Sequence, residues 1–432
     1  MGPQAFMRSA FVSALVALLA AETRATIVVD PSGGGDFTQL QDAIDAARDG
    51  EQILVKAGTY ASPAGFNRIQ IVGKGLSIVA EAGAVVNVPG FDLDGLPEGH
   101  WVMARGLTLS AVGFFGFGAQ PTVNLTSTGG TLLLEECSIT GADGDKAFLV
   151  SSVSPGSPAV RVAAGAAAIL KDCAVKGGNG MFESSSPPPN DPTAGGAGIE
   201  VEGGRLAVYG GTVTGGNGGS GSIDNPFFYF VDGGDGVKVS AGGFAHLTGT
   251  VVTGGSNGLG NQVADDKSGD GLHVLDASSS AWVRDTALAA GSVAAPAGTP
   301  GLALNAPAGT VTSFTAAARS LTITSPLREG QPGTMTIQGE TGDLAYVVIS
   351  LGAAFQPLSP KQGVLLLDTS LLVPVAVGVI TAPSGTLTVP FTTPDLNPSL
   401  GGLTVPMQLA VSAAGKTTLE SATLMGWLDA SL

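Results

Sequence analysis

Five segments of this chain align without gaps: LLLEECSITG from Leu132, AILKDCAVKG from Ala168, LAVYGGTVTG from Leu206, AHLTGTVVTG from Ala245 and AWVRDTALAA from Ala281. Their equivalent positions Cys137, Cys173, Gly211, Thr250 and Thr286 are 36, 38, 39 and 36 residues apart. Ahead of the last four stands a shorter alternation: AVRV (Ala159), GIEV (Gly198), GVKV (Gly236) and GLHV (Gly271). Each unit reads as strand, Gly-rich turn, strand, tight turn, strand, long loop. Self-similarity at this period, with β alternation and no helix, predicts stacked coils of a β-solenoid. A propeller of similar period needs four antiparallel strands per blade, and neither Trp-Asp nor repeated Gly-Gly-aromatic punctuation is present.

One helix is nevertheless expected, in TIVVDPSGGGDFTQLQDAIDAARDGEQILVKAGTY (Thr26 to Tyr60). Thr38 with Gln41 forms a capping-box start, so Thr38 is the expected N-cap. Phe37, Leu40, Ile44 and Ala47 share one face at helical spacing. A solenoid leaves the raw end of its core and the edge of its first rung exposed. The helix from Thr38 to Arg48 is expected to seal that end.

The stretches VVDPSGGGDFTQLQDAIDAA, ILVKAGTY and IQIVGKGLSIVAEAG, within about residues 27–88, resemble the N-terminal part of pectinesterases and related members of the pectin-lyase-like superfamily. The resemblance implies a right-handed parallel β-helix. It does not carry the chemistry with it. The Gln-Ala-Val, Asp-Phe-x-Phe-Gly and Gly-Arg-Pro-Trp stretches of pectinesterases are absent, and of the polygalacturonase pattern only Asp265-Asp266 stands here.

The chain has a formal net charge of −16 with only 12% charged residues, which argues against nucleic acid or an anionic membrane as partner. Arg8 precedes the apolar run SAFVSALVALLAA, and TRA follows it, so residues 1–25 read as a secretory signal, with an uncleaved anchor as the alternative. No later run is long and apolar enough to span a membrane. The mature chain is expected to be secreted or held at the cell surface. Near AAPAGTPGLALNAPAGTV (Ala294 to Val311) the period changes to short strands every 8 to 15 residues. The expected division is a solenoid over 26–310 and an accessory β-sandwich over 311–432, placed where it would protect the solenoid's C-terminal end.

Alternation assigns faces. Val160/Val162, Ile199/Val201, Val237/Val239 and Leu272/Val274 should point inward, leaving Arg161, Glu200, Lys238 and His273 stacked outside, about 4.8 Å apart. A second outward row is Glu135, Lys171, Tyr209, Thr248 and Arg284, beside Leu133, Ile169, Ala207, His246 and Trp282. Arg161, Glu200, Tyr209, Arg284 and Trp282 are therefore candidates for holding a polysaccharide or cell-surface glycan, the aromatics by stacking on sugar rings. An ordinary solvated face, or a loop covering Trp282, is the alternative. Asp235 and Asp270 each precede the Gly that opens a unit, with Asp232, Asp265 and Asp266 in the loops before them. Such hard oxygen ligands suit Ca²⁺, and Lys238 or His273 would then be the base of a lyase. The alternative is solvated turn residues.

Asn179, Asn217 and Asn257, with Asp143, read as a structural ladder. The long loops, one carrying Phe227, Phe228, Tyr229 and Phe230, leave one corner side by side. Cys137 and Cys173 occupy equivalent inward positions, one rung apart, as a disulfide or as stacked thiols. Two functions follow: a non-catalytic exported protein that contacts carbohydrate, or a lyase or hydrolase acting on an acidic polysaccharide.

Overall fold

The structure, a computed structural model, describes residues 26–62, 68–111, 119–126, 129–144, 154–181, 193–220, 231–258, 266–294, 298–370, 372–393, 395, 401–413, 415–430 and 432. The N-terminal apolar run, Asp265 and the aromatic cluster at 227–230 lie outside the described residues. Among the described residues, no helix is long and apolar enough to cross a membrane.

The repeat winds into a parallel β-helix of three sheets, one of ten strands and two of eight. One coil supplies Val160–Ala163, Ala167–Lys171 and Ala174–Lys176, and the next supplies Ile199–Glu202, Arg205–Tyr209 and Thr212–Thr214. The ten-stranded sheet takes the middle strand of each coil and ends on Val311–Phe314. The solenoid therefore runs past the expected boundary at residue 310. Every expected inward residue of the leading strands is buried, because each lies between equivalents in the rungs above and below. Ladder hydrogen bonds satisfy the backbone, so side-chain alternation alone sorts core from surface.

The segments expected to be loops begin and end as something more ordered. From the coil whose third strand is Ser138–Thr140 onward, a glycine-rich leg runs outward after the third strand and another returns, and the legs bond to one another through their backbones. Gly216 N–H donates to Gly196 O at 2.8 Å, Gly234 to Gly216 at 2.8 Å and Gly255 to Gly234 at 2.7 Å. The legs lie so close that a Cβ on Gly216 would sit 1.8 Å from Gly178 O, and one on Gly255 would sit 1.9 Å from Gly216 O. Only glycine fits there. The Asn ladder stitches the same legs together: Asp143 Oδ1 accepts from Asn179 N–H, Asn179 Oδ1 from Asn217 N–H, and Asn217 Oδ1 from Ser256 N–H, at 2.7, 3.1 and 3.0 Å. The inserted Ser256 shifts the register by one residue, and Asn257 Oδ1 then accepts from Ala294 N–H at 2.7 Å.

The helix spans Leu40–Ala46 and buries Leu40, Ala43 and Ile44 against the first coil, as a cap should. It is shorter than expected, and Gln39 rather than Thr38 is its N-cap, with no side-chain capping bond. With Thr38 as cap, Gln39 would be the first helical residue, but Gln39 is extended at φ −119° and ψ 137°, so the helix starts one residue later. The Gln41 amide turns elsewhere, exchanging hydrogen bonds with the backbone of Gln70.

From Ser320 the chain forms two facing sheets. Ser320–Ile323, Pro332–Gln338 and Thr386–Thr392 cover Leu327–Arg328, Lys416–Leu428, Gly402–Ala413, Leu344–Ile349 and Val373–Val379 over a shared core that includes Ile337, Val347, Met407 and Trp427. All pairings are antiparallel except that of Leu327–Arg328 with Lys416–Leu428. This sandwich does not stand at the solenoid's end. Its Ala422 and Leu424, with Phe355, Val364 and Leu366 of the hairpin Ala353–Ser359/Gly363–Leu367, pack on Met103, Leu133, Ile169, Ala207 and Tyr209 of the ten-stranded sheet. Gln52 near the start of that sheet bonds Thr404 at 2.8 Å, Arg105 bonds Leu424 O at 2.7 Å, and Arg284 near its end pairs with Glu420. The sandwich thus lies along the flank of the solenoid.

Candidate functional site

That docking removes one of the two expected rows. Glu135, Lys171, Tyr209, Thr248 and Arg284 stack in register as expected, but all are buried beneath the sandwich. Tyr209 and Arg284 therefore cannot hold a glycan. Trp282 packs edge-on against Phe244 at 4.8 Å, in the same apolar contact as Phe355. Trp282 is partly buried in that cluster, to which the later chain brings the strand hairpin carrying Phe355. Alternation placed these side chains outside the coil correctly; it could not reveal that a second domain lies over them.

The other row stays open. Arg161, Glu200, Lys238 and His273 are paired rung to rung and half-buried. The row is longer than four residues: Gln70, Asp92 and Asn124 precede it, and Asn305 follows. Sequence reasoning missed these because the gapless repeat runs only from Leu132 to Ala290, leaving out the coils at both ends. The alternations IQIV, FDLD, VNLT and LALN carry the same signal in shorter form.

Charge along the row is internally matched. Lys238 Nζ lies 2.9 Å from Glu200, Arg161 lies 2.5 Å from Glu202, and Asn124 donates to Asp92 at 2.8 Å. Burial pulls the Lys238 ammonium down, but the Glu200 carboxylate, with Asp235 and Glu202, outweighs it and raises its pKa above the ordinary lysine value. Lys238 is thus held protonated, the opposite of what a general base requires.

At the C-terminal end of the row, Asp235, Asp270 and His273 bring possible ligand atoms within 4.8 Å of one another. The adjacent-rung stacking read from the sequence is real. Asp270 N–H donates to Asp235 Oδ1 at 2.8 Å and Leu302 N–H to Asp270 Oδ1 at 2.6 Å. Asp270 Oδ2 accepts from Asn305 at 2.7 Å and Lys267 Nζ at 3.0 Å, and His273 Nδ1 meets Asp235 Oδ2 at 2.9 Å. Burial pushes the Asp270 carboxyl up, but donation from Leu302, Asn305 and Lys267 outweighs it and holds the pKa below the usual carboxylate value.

The donor set does not fit Ca²⁺. One carboxylate is already met by backbone, amide and ammonium donors, and a cation would have to displace the Lys267 ammonium from it. Asp232 and Asp266 accept from the backbone N–H of Lys267 and Val231 at 2.7 and 3.1 Å, one rung away from each. They are ladder residues of the legs, apart from the Asp235–Asp270–His273 group.

The two cysteines stack at equivalent inward positions with free thiols, Cys137 Sγ meeting Glu135 O at 3.3 Å and Cys173 Sγ meeting Leu134 O at 3.4 Å.

The chain matches no protein-family model and no curated protein.

Proposed function

We propose that this is an exported, non-catalytic recognition protein that holds an extended polar polymer, a polysaccharide or cell-surface glycan, along the open face of the β-helix. The observation carrying this reading is the in-register row from Gln70 to Asn305, which presents amides, carboxylates and cations at one repeating spacing. A linear polymer with hydroxyl or carboxylate groups offers partners at a similarly regular interval. The mutual pairing of the charged side chains supports binding over catalysis, since each ion already has a counter-ion and none is left as a strong base. The glycine legs support it too. They tie the start and finish of each long segment to its neighbours by backbone hydrogen bonds, a rigid base of the kind on which recognition segments are displayed. The likeness of residues 27–88 to the pectin-lyase-like superfamily and the apolar run before residue 25 are consistent with an exported carbohydrate-contacting protein.

A polysaccharide-active enzyme is the second reading, favoured by one observation. Asp235 Oδ2 meets His273 Nδ1 at 2.9 Å, so a carboxylate orients the ring through one nitrogen while the side chain stays 27% exposed.

Binding of neutral and acidic polysaccharides, measured together with release of new chain ends, separates the two. Recognition expects retention of at least one polymer without cleavage, weakened about tenfold or more by Glu200→Ala/Lys238→Ala. Cleavage that disappears in His273→Gln would establish the enzyme instead. Absence of any binding, or binding untouched by the double substitution, would dismiss this face as the site.

A further inference from the structure

The two ends of the solenoid are treated differently. At the N-terminal end the helix Leu40–Ala46 covers the first coil. At the other end the sandwich has gone to the flank, and among the described residues all three sheets finish on unpaired edges: Leu304–Asn305, Ala287–Ala289 and Val311–Phe314. Residues that would be core in any earlier coil are laid open. Leu304 pairs with Leu272 and occupies the same inward position, yet it is 40% exposed where Leu272 is 0%. Leu302, equivalent in register to Asp270 of the coil before, is 53% exposed, and Leu288, Ala306 and Val311 are only partly buried against the core.

Exposed strand edges are normally protected by charge, proline or a covering element. Here the chain from Thr286 to Ala318 contains no Asp, Glu, Lys, Arg or His, in a molecule of formal net charge −16, and its prolines, Pro296, Pro300 and Pro307, fall between the three edge strands and not within them. We infer that this open end is a self-association surface, on which a second copy of the chain stacks tail to tail about a two-fold axis.

Three observations select a second copy over other occupants. An occupant must present three strand edges in the same triangular arrangement, which the end of another such solenoid does. The partner's N-terminal end is closed by its helix, so head-to-tail stacking is blocked and only the tail end remains. A chain this acidic repels its copies over most of its surface, and the terminal coil is where the repelling groups are missing. Reversal of one solenoid on the other makes the meeting strands antiparallel, which the ladder geometry accepts. The pairing is isologous and closes at two copies, so it yields a dimer and not a fibre.

The test is the mass in solution of the full chain by sedimentation equilibrium across a concentration series, for wild type and for Leu302→Lys/Leu304→Lys. The wild type should sediment at twice the 42.6 kDa of the chain. The variant should keep the β-rich circular dichroism spectrum of the folded chain and need a concentration about 100-fold higher to associate, as expected for the loss of two central apolar contacts. Should that variant not fold, Asn305→Lys/Thr312→Lys places charge on the same edges without touching a core position and should give the same dissociation. A wild type that stays monomeric at high micromolar concentration, or a dimer that both folded variants leave intact, would overturn the inference.

Discussion

Arg284 Nη1 lies 2.7 Å from Glu420 Oε1, with 5% and 1% of the two side chains exposed. The pair joins the ninth strand of the ten-stranded sheet to the last strand of the sandwich, 136 residues later. Desolvation raises the Glu420 pKa, and Arg284 opposes it. Such a pair is costly to form but more costly to break, because removing one partner strands the other charge. Glu420→Ala is expected to destabilise the docked chain by about 3–5 kcal/mol, while Arg284→Met/Glu420→Leu should lie within about 1 kcal/mol of wild type. Urea unfolding of the two variants is the measurement. Equal destabilisation by single and double variants would mean that the charges matter only through packing.

His246 sits in the same interface and sets a pH dependence. Burial, helped by nearby Arg284, lowers its pKa from 6.5 to about 3. The folded chain keeps the ring neutral, whereas the unfolded chain takes up a proton below about pH 6.5. The stability this contributes is complete above that pH and is lost as pH falls from about 6.5 toward 3, by about 1.4 kcal/mol per pH unit at most. Glu135 and Glu420, both raised by burial, act in the opposite sense, so the informative quantity is the difference between wild type and His246→Gln. That difference should shrink on acidification from pH 7 to pH 4. Parallel curves would show that the ring is protonated in the folded state.

The glycine legs have no room for a methyl group. Gly216→Ala drives a Cβ into the Gly178 carbonyl and should cost more than about 4 kcal/mol, or prevent folding. Gly33→Ala, at a φ of +91° with nothing within 4 Å, should cost only about 1–2 kcal/mol from backbone strain. Thermal melts of both variants make the comparison. Similar losses would mean that the legs can part without harm to the coils.

At the capped end, Leu40→Asp/Ile44→Asp should remove about 3–6 kcal/mol of burial and expose the first coil. The expected outcome is aggregation or a broadened melt. An unchanged transition in scanning calorimetry would show that the helix does not seal the core.

What the sequence determined by itself is what local rules govern. Period-two alternation at a recurring interval settled the coils, their register and the inward residues, because a one-residue slip would turn every Val and Leu of a strand to water. It also placed Asp235 beside Asp270 and Lys238 beside His273, since position in the repeat becomes position along the axis. Helix length, the cap residue and the glycine legs were less legible. Thr38 has the chemistry of an N-cap, but Gln39 after it is extended and the helix starts only at Leu40, and the glycines that recur after the third strands read locally as turns although their partners are legs of other coils. What only the tertiary structure decided is which outward face remains a surface. Tyr209 and Glu200 both point away from the solenoid core, and nothing within several residues of either distinguishes them. The sandwich that buries the first and spares the second comes from more than 100 residues downstream, and burial depends on the whole arrangement of chain in space, not on the residue or its neighbours in sequence.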